Sequence, residues 1–233
     1  MNTIGIIGGM SWESTAIYYR LLNKGIRDHL GGLHSAKIRM ESFDFSEIEQ
    51  LQREGKWTEA GSQLAEAGIR LESVGADVLL IATNTMHKVA DMVESAVSIP
   101  LLHIADSTGE RIKKAGIRRV ALLGTKFTME QDFYRGRLKE HYGLEVLIPE
   151  PEDRDTVHRV IFKELCQGHI REESRQAYLN IIHRMLSKGA EGVIFGCTEI
   201  GLLLSEEKVP VPVFDTTRIH AEAAVHWALG SKD

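Results

Sequence analysis

Short apolar runs rich in Val, Ile and Leu recur along the chain, each followed by a longer stretch with helical periodicity. The runs at 3–7, 37–42, 78–82 and 101–104, then at 119–123, 144–148, 192–196 and 211–214, read as strands buried on both faces of parallel sheets. Residues 58–74 place Leu64, Ala67, Leu71 and Val74 on one stripe and stop at Gly75; residues 171–188 do the same with Ala177, Tyr178, Ile181, Ile182 and Met185 and stop at Gly189. Thr128 with Gln131, and Ser46 with Glu49, have capping-box spacing. Strand and helix alternate throughout, which predicts an α/β protein of doubly wound parallel sheets flanked by helices.

The pattern also repeats. Ile4-Gly5-Ile6-Ile7-Gly8 is echoed by Val120-Ala121-Leu122-Leu123-Gly124, and Tyr18 by Tyr134, each pair 116 residues apart. The run from Gly75 to Thr83 is echoed 114 residues later by the run from Gly189 to Cys197. A period this long is a duplicated domain and not a solenoid unit. Two pseudo-symmetric flavodoxin-like domains are therefore expected: residues 1–100 joined by 210–233, and residues 101–209. The run at 211–214 is expected to return to the first domain, and a last helix at 216–229 to pack on it.

Composition narrows the possible partners. The 233 residues are 43% hydrophobic and 26% charged with a net charge of -5, the balance of a globular domain with ample core. No Lys/Arg cluster suggests a nucleic-acid surface. The N-terminal residues lack the pattern of a secretory signal, and no apolar run approaches the ~18 residues that span a bilayer, so the expectation is a cytoplasmic protein with no membrane partner. Two cysteines do not make a disulfide framework, and the ten scattered histidines show no metal-ligand spacing.

In open α/β sheets ligands gather at the carboxyl ends of strands. That rule selects Gly8-Gly9-Met10-Ser11, Thr83-Asn84-Thr85, Gly124-Thr125 and Cys197-Thr198-Glu199, two segments from each half. Helix N-termini there would suit a dianionic carboxylate and would lower the pKa of the Cys197 thiol. Cys166, inside an apolar helical run, reads as core. Gly5-x-x-Gly8-Gly9 departs from the dinucleotide fingerprint, and neither a P-loop nor a pyridoxal-phosphate lysine signature is present. His87 and His103 read as solvent-linked or capping histidines.

Taken together, Gly8-Gly9-Met10-Ser11-Trp12-Glu13-Ser14-Thr15, Thr83-Asn84-Thr85-Met86-His87-Lys88 and Gly196-Cys197-Thr198-Glu199-Ile200 resemble the aspartate/glutamate racemase family, in order and over essentially the whole chain. The branch it most resembles is that of the bacterial L-aspartate/glutamate-specific, or broad-specificity, amino-acid racemases. The resemblance implies an active site in the cleft between the two domains, no cofactor, a small amino-acid substrate and a homodimer. The usual family pattern places a cysteine on each face of the substrate; here the first position is Thr83, as in the branch just named, and the second is Cys197. The expected chemistry is two-base α-proton transfer, with Cys197 as thiolate base and Thr83 as the opposing proton donor. Gly9, Met10, Asn84, Thr85, Thr125, Thr198 and Glu199 are the candidates for holding substrate, with Gln52 or Lys163 reading its side-chain carboxylate. A hydroxyl is a far weaker acid than a thiol, so turnover is expected to favour the enantiomer whose Cα–H faces Cys197, the L form in this branch. A single-cysteine decarboxylase or isomerase on the same scaffold, and a catalytically silent carboxylate-binding protein, are the alternatives.

Overall fold

The computed structural model describes residues 1–230. Residues 231–233, which the sequence assigns to the first domain, lie outside the described residues. The elements in chain order are β1 (Ile4–Gly8), α1 (Trp12–Leu30), β2 (Ile38–Ser42), α2 (Phe45–Arg53), α3 (Trp57–Ser73), β3 (Val78–Ile81), a 3-10 turn at Thr85–Val89, α4 (Ala90–Glu94) and α5 (Ile104–Lys114). They continue with β4 (Arg119–Gly124), α6 (Lys126–Glu130), α7 (Asp132–Tyr142), β5 (Glu145–Leu147), α8 (Pro151–Lys163), a 3-10 turn at Leu165–Gln167, and α9 (Glu172–Ser187). The last are β6 (Gly192–Gly196), α10 (Ile200–Leu203), a 3-10 turn at Glu206–Lys208, β7 (Val213–Asp215) and α11 (Thr216–Leu229). Among the described residues no helix is long and apolar enough to cross a membrane.

The described chain divides into two compact units: residues 1–104 with 220–230, and residues 105–219. The first has a parallel sheet ordered β2-β1-β3, with Leu101 making a single parallel bridge to Leu79. The second has a parallel sheet ordered β5-β4-β6-β7. The duplication read from the sequence is thus visible in topology, because β2-β1-β3-Leu101 and β5-β4-β6-β7 correspond position by position. Residues 101–104 shrink from an expected strand to that one bridge, since Ile104 already opens α5. The expected return of 211–214 to the first unit does not occur. Val213–Asp215 pair with Val193–Phe195 of β6, which keeps 210–219 in the second unit and moves the boundaries to 104/105 and 219/220.

Alternation along the strands explains the layers. In the first unit Ile4, Ile6, Val78, Leu80 and Ala82 face Tyr18, Leu22 and Ile26 of α1 and Ala221, Ala224 and Val225 of α11. Ile7, Leu79 and Ile81 face the other way, onto Ile48 of α2 and Leu64, Ala67 and Leu71 of α3. A sheet buried on both faces must carry side chains that are apolar at every position, which is why these strands show no alternation in sequence. In the second unit α6, α8 and α9 pack on β4, and Tyr134 and Tyr178 are fully buried.

The helix starts differ from the expected capping boxes. Asp44, not Ser46, caps α2, with its carboxylate accepting from the Ser46 N–H at 3.0 Å. Thr125, not Thr128, caps α6, accepting from the Thr128 N–H at 3.2 Å. In each case the chain enters the helix within two residues of leaving a strand, so the cap is the polar residue at that exit and not the first member of the spaced Ser or Thr pair.

Candidate active site

In the first unit the candidate residues surround the end of β3. Gly9 turns the chain out of β1 at φ +86, and a Cβ there would lie 2.2 Å from the Phe43 carbonyl oxygen and 2.4 Å from its nitrogen, so only glycine fits. The Gly9 N–H donates to Thr15 Oγ1 at 2.8 Å, and the Ser11 hydroxyl caps α1 by accepting from the Ser14 N–H at 3.2 Å. Ser14 Oγ in turn donates to the Ala82 carbonyl at 3.0 Å, fixing the peptide that leads into Thr83. Thr83 itself is half-buried, between the buried residues Ala82 and Asn84. Its carbonyl lies 2.8 Å from His87 Nδ1. Met10, Asn84 and Thr85 are buried beside this turn.

In the second unit the corresponding position, past the end of β6, holds Cys197, also half-buried. Its thiol donates to Glu199 Oε2 at 2.9 Å. Cys166 Sγ lies 3.7 Å from the other oxygen of the same carboxylate, so one buried Glu199 serves two thiols. Burial pushes the Cys197 thiol well above its usual pKa, and the adjacent Glu199 charge and Cys166 push the same way; a main-chain hydrogen bond from Glu199 opposes them. Thr217 Oγ1 donates to Thr198 Oγ1 at 2.9 Å, and Thr216 Oγ1 donates to the Phe195 carbonyl at 2.8 Å. These two bonds hold the strand end and its turn against the start of α11. The Thr125 hydroxyl is taken up in capping α6 and in a 3.1 Å contact with Thr128 Oγ1.

Several sequence expectations change here. The low thiol pKa does not appear, because α10 is a four-residue turn with little dipole and the nearest charge to the sulfur is a buried carboxylate. Cys166 is not helical core; it lies half-buried in the 3-10 turn after α8, close enough to Glu199 to share it. Lys163 is exposed at the C-terminal end of α8. Gln52 is buried, but its Nε2 is 3.1 Å from Met86 Sδ, under the 3-10 turn that follows Thr83. His87 and His103 are buried rather than solvent-linked; the capping half of that reading holds, since the first amide of α5, Ile104 N–H, donates to His87 Nε2 at 3.2 Å. What the motifs did not signal is that Ser14, His87 and Glu199 bond directly to the residues around Thr83 and Cys197. Among the described residues no group of three His, Cys, Asp or Glu side chains is arranged to hold a metal ion. A cavity of about 610 Å³ opens elsewhere in the second unit, between α7 and β5, lined by Arg135, Lys139 and Glu145 but by none of the candidate residues.

Residues 7–224 match the Asp/Glu/hydantoin racemase family. A crystal structure from Yersinia pestis, of a protein named for the Asp/Glu racemases, is 55% identical with a TM-score of 0.92, covering 98% of this chain and 100% of that one. An aspartate racemase homologue from Pyrococcus horikoshii OT3 is 37% identical with a TM-score of 0.86, covering 98% and 100%. The broad-specificity amino-acid racemase RacX of Bacillus subtilis (strain 168) is 25% identical over 162 residues, 70% of this chain and 69% of that protein.

Proposed function

The chain belongs to the Asp/Glu/hydantoin racemase family, and from that premise we propose that it is an isomerase that racemises aspartate or glutamate by α-proton transfer, with Cys197 serving one face of the substrate and Thr83 the other. The observation that carries the reading is the Cys197 thiol at the end of β6, hydrogen-bonded to the Glu199 carboxylate at 2.9 Å. A thiol held this way rests protonated, and the carboxylate gives its proton somewhere to go.

The steps follow from that pair. Cys197 Sγ–H passes its proton to Glu199, and the thiolate removes the substrate Cα–H. The electron pair left on Cα spreads into the α-carboxylate as an enolate. Main-chain N–H groups of the turn that follows Gly9, whose own N–H is held by Thr15 Oγ1, are assigned to stabilise it together with the side chains of Asn84, Thr85 and Thr198. Thr83 Oγ1–H then donates its proton to the opposite face of Cα, giving the inverted amino acid. Thr83 recovers a proton from solvent and Glu199 releases one to it, so protons balance over the cycle. No electron leaves or enters, and the scheme uses no cofactor. Thr125 is kept as a candidate for substrate contact and Gln52 as a reader of the side-chain carboxylate; each already has one hydrogen-bond partner, as Thr198 does. Lys163 keeps no role, being exposed at the end of α8. A homodimer remains part of the proposal, tested by light scattering of the purified protein.

The test is proton NMR in deuterated water, with L- and D-aspartate and L- and D-glutamate offered separately and no cofactor added. Loss of the α-proton signal together with formation of the opposite enantiomer is the expected result, and Cys197→Ala should abolish both. Exchange that survives in Cys197→Ala removes the thiol from the mechanism. Binding without exchange favours a silent carboxylate-binding protein, and turnover of a malonate-type or maleate-type acid alone favours a decarboxylase or isomerase.

A further inference from the structure

We propose that His87 is a positioning residue for Thr83, anchoring the threonine's main chain so that its hydroxyl meets the substrate; the inference rests on the two-face reading above. The imidazole lies between two main-chain groups of fixed polarity. Ile104 N–H can only donate, so His87 Nε2, at 3.2 Å, must accept. The neutral ring then carries its proton on Nδ1 and donates it to the Thr83 carbonyl at 2.8 Å. The ring is buried, with His103 at 4.6 Å and His220 at 5.8 Å between ring centroids, so it has little room to turn away.

The anchor lies where the sheet stops supporting the chain. The Ala82 N–H still bonds to the Ile7 carbonyl at 2.9 Å, but β3 ends at Ile81 and Thr83 lies past its ladder. From there the carbonyls on both sides of Thr83 are held by side chains, Ala82 by Ser14 and Thr83 by His87. The second unit is built differently at the matching place. The spacing of 114 that relates Thr83 to Cys197 relates His87 to Gly201, which has no side chain to offer. Cys197's carbonyl instead accepts the Ile200 N–H at 3.1 Å, an ordinary turn bond. The same spacing relates Glu199 to Thr85. The thiol therefore has a carboxylate on its reacting atom, and the hydroxyl has a clamp on its main chain. That division suits the chemistry. A threonine hydroxyl gives up a proton reluctantly, so its transfer depends steeply on placement, whereas a thiol beside a base tolerates more slack.

The experiment compares two isosteric variants in deuterated water, scoring inversion separately from exchange with retention. His87→Asn keeps an N–H donor near the Nδ1 position and loses the acceptor for Ile104; His87→Gln keeps an acceptor near the Nε2 position and loses the donor to Thr83. His87→Gln should lower inversion by about 10-fold or more, while exchange with retention, which needs only Cys197 and Glu199, stays within about 3-fold of wild type. His87→Asn should restore most of the inversion. Equal loss of inversion and exchange in both variants, or unchanged inversion in His87→Gln, overturns the inference. Nitrogen-15 NMR of the ligand-free wild type gives a readout that needs no variant: His87 Nδ1 should be the protonated nitrogen, and an unprotonated Nδ1 also overturns it. A wild type that neither exchanges nor inverts any of the amino acids refutes the racemase reading itself, and the nitrogen-15 result still reports on the anchor.

Discussion

His220 should make the protein lose stability on acidification in a defined pH window. The residue is fully buried, with Nε2 2.8 Å from the Leu102 carbonyl and Nδ1 2.8 Å from Tyr18 Oη. A carbonyl can only accept, so Nε2 carries the proton and Nδ1 accepts from the tyrosine hydroxyl. Protonating Nδ1 would place a charge inside the first unit and set two donors against each other. Burial pushes the pKa of His220 down to about 4, although the Leu102 carbonyl acts in the other direction. In the unfolded chain it titrates near 6.5. Between those values the unfolded state binds more protons, so stability rises with pH there. The full contribution is present above the unfolded pKa and is lost as pH falls toward 4. A gap of roughly 2.5 units corresponds to about 3 kcal/mol in all, with about 2 kcal/mol lost by pH 5. Urea denaturation of wild type and His220→Gln from pH 7 to pH 4 isolates the effect, because acid losses from the carboxylates are common to both proteins. Glutamine keeps a donor for Leu102 and costs about 1 kcal/mol at pH 7 through the Tyr18 hydroxyl. The two stability curves should then converge and cross as the wild type loses more with falling pH. Parallel curves over the whole window would refute the burial argument.

Three further outcomes follow from the site and its frame. Thr83→Cys should speed racemisation from the enantiomer whose Cα–H faces residue 83, since a thiol ionises far more readily than a hydroxyl; rates measured from each enantiomer separately check this, and no gain would count against the two-face assignment. Glu199→Gln removes the charge beside Cys197, so the thiol pKa should fall and iodoacetamide alkylation of the Cys197 peptide at neutral pH should quicken, while α-proton exchange drops by about 10-fold or more as the proton acceptor is lost. Alkylation at an unchanged rate would show that the carboxylate does not set the thiol's state. Gly9→Ala should cost at least about 2 kcal/mol in chemical denaturation, because φ is +86 and the added carbon would meet the Phe43 backbone.

The approximate strand positions, helix periodicity and the internal repeat were legible because they rest on local spacing. Ile4, Ile6 and Ile7 are apolar on both faces wherever a sheet is covered twice, and Leu64, Ala67 and Leu71 must share a stripe in any helix. The positions of Thr83 and Cys197 at strand ends follow from the same logic. What failed were readings that needed a partner remote in sequence. The run at 211–214 could have joined either sheet by composition, and the β6 register decided it. Cys166 looked like core until the fold brought it to Glu199, 33 residues away.

The amino-acid order alone determined that there are two α/β halves, roughly where most of the strands fall, and which thiol- and hydroxyl-bearing motifs stand at their ends, since such features depend on residues within a turn or two of one another. Only the tertiary structure decided the protonation environment of the thiol, the tautomer of His87 and the burial of His220. Glu199 is only two residues from Cys197, but the burial that dominates the thiol's state is set by the whole fold. The two imidazoles are fixed by the Ile104 amide, the Leu102 carbonyl and the Tyr18 hydroxyl, 17, 118 and 202 residues away, approaches that no local pattern records.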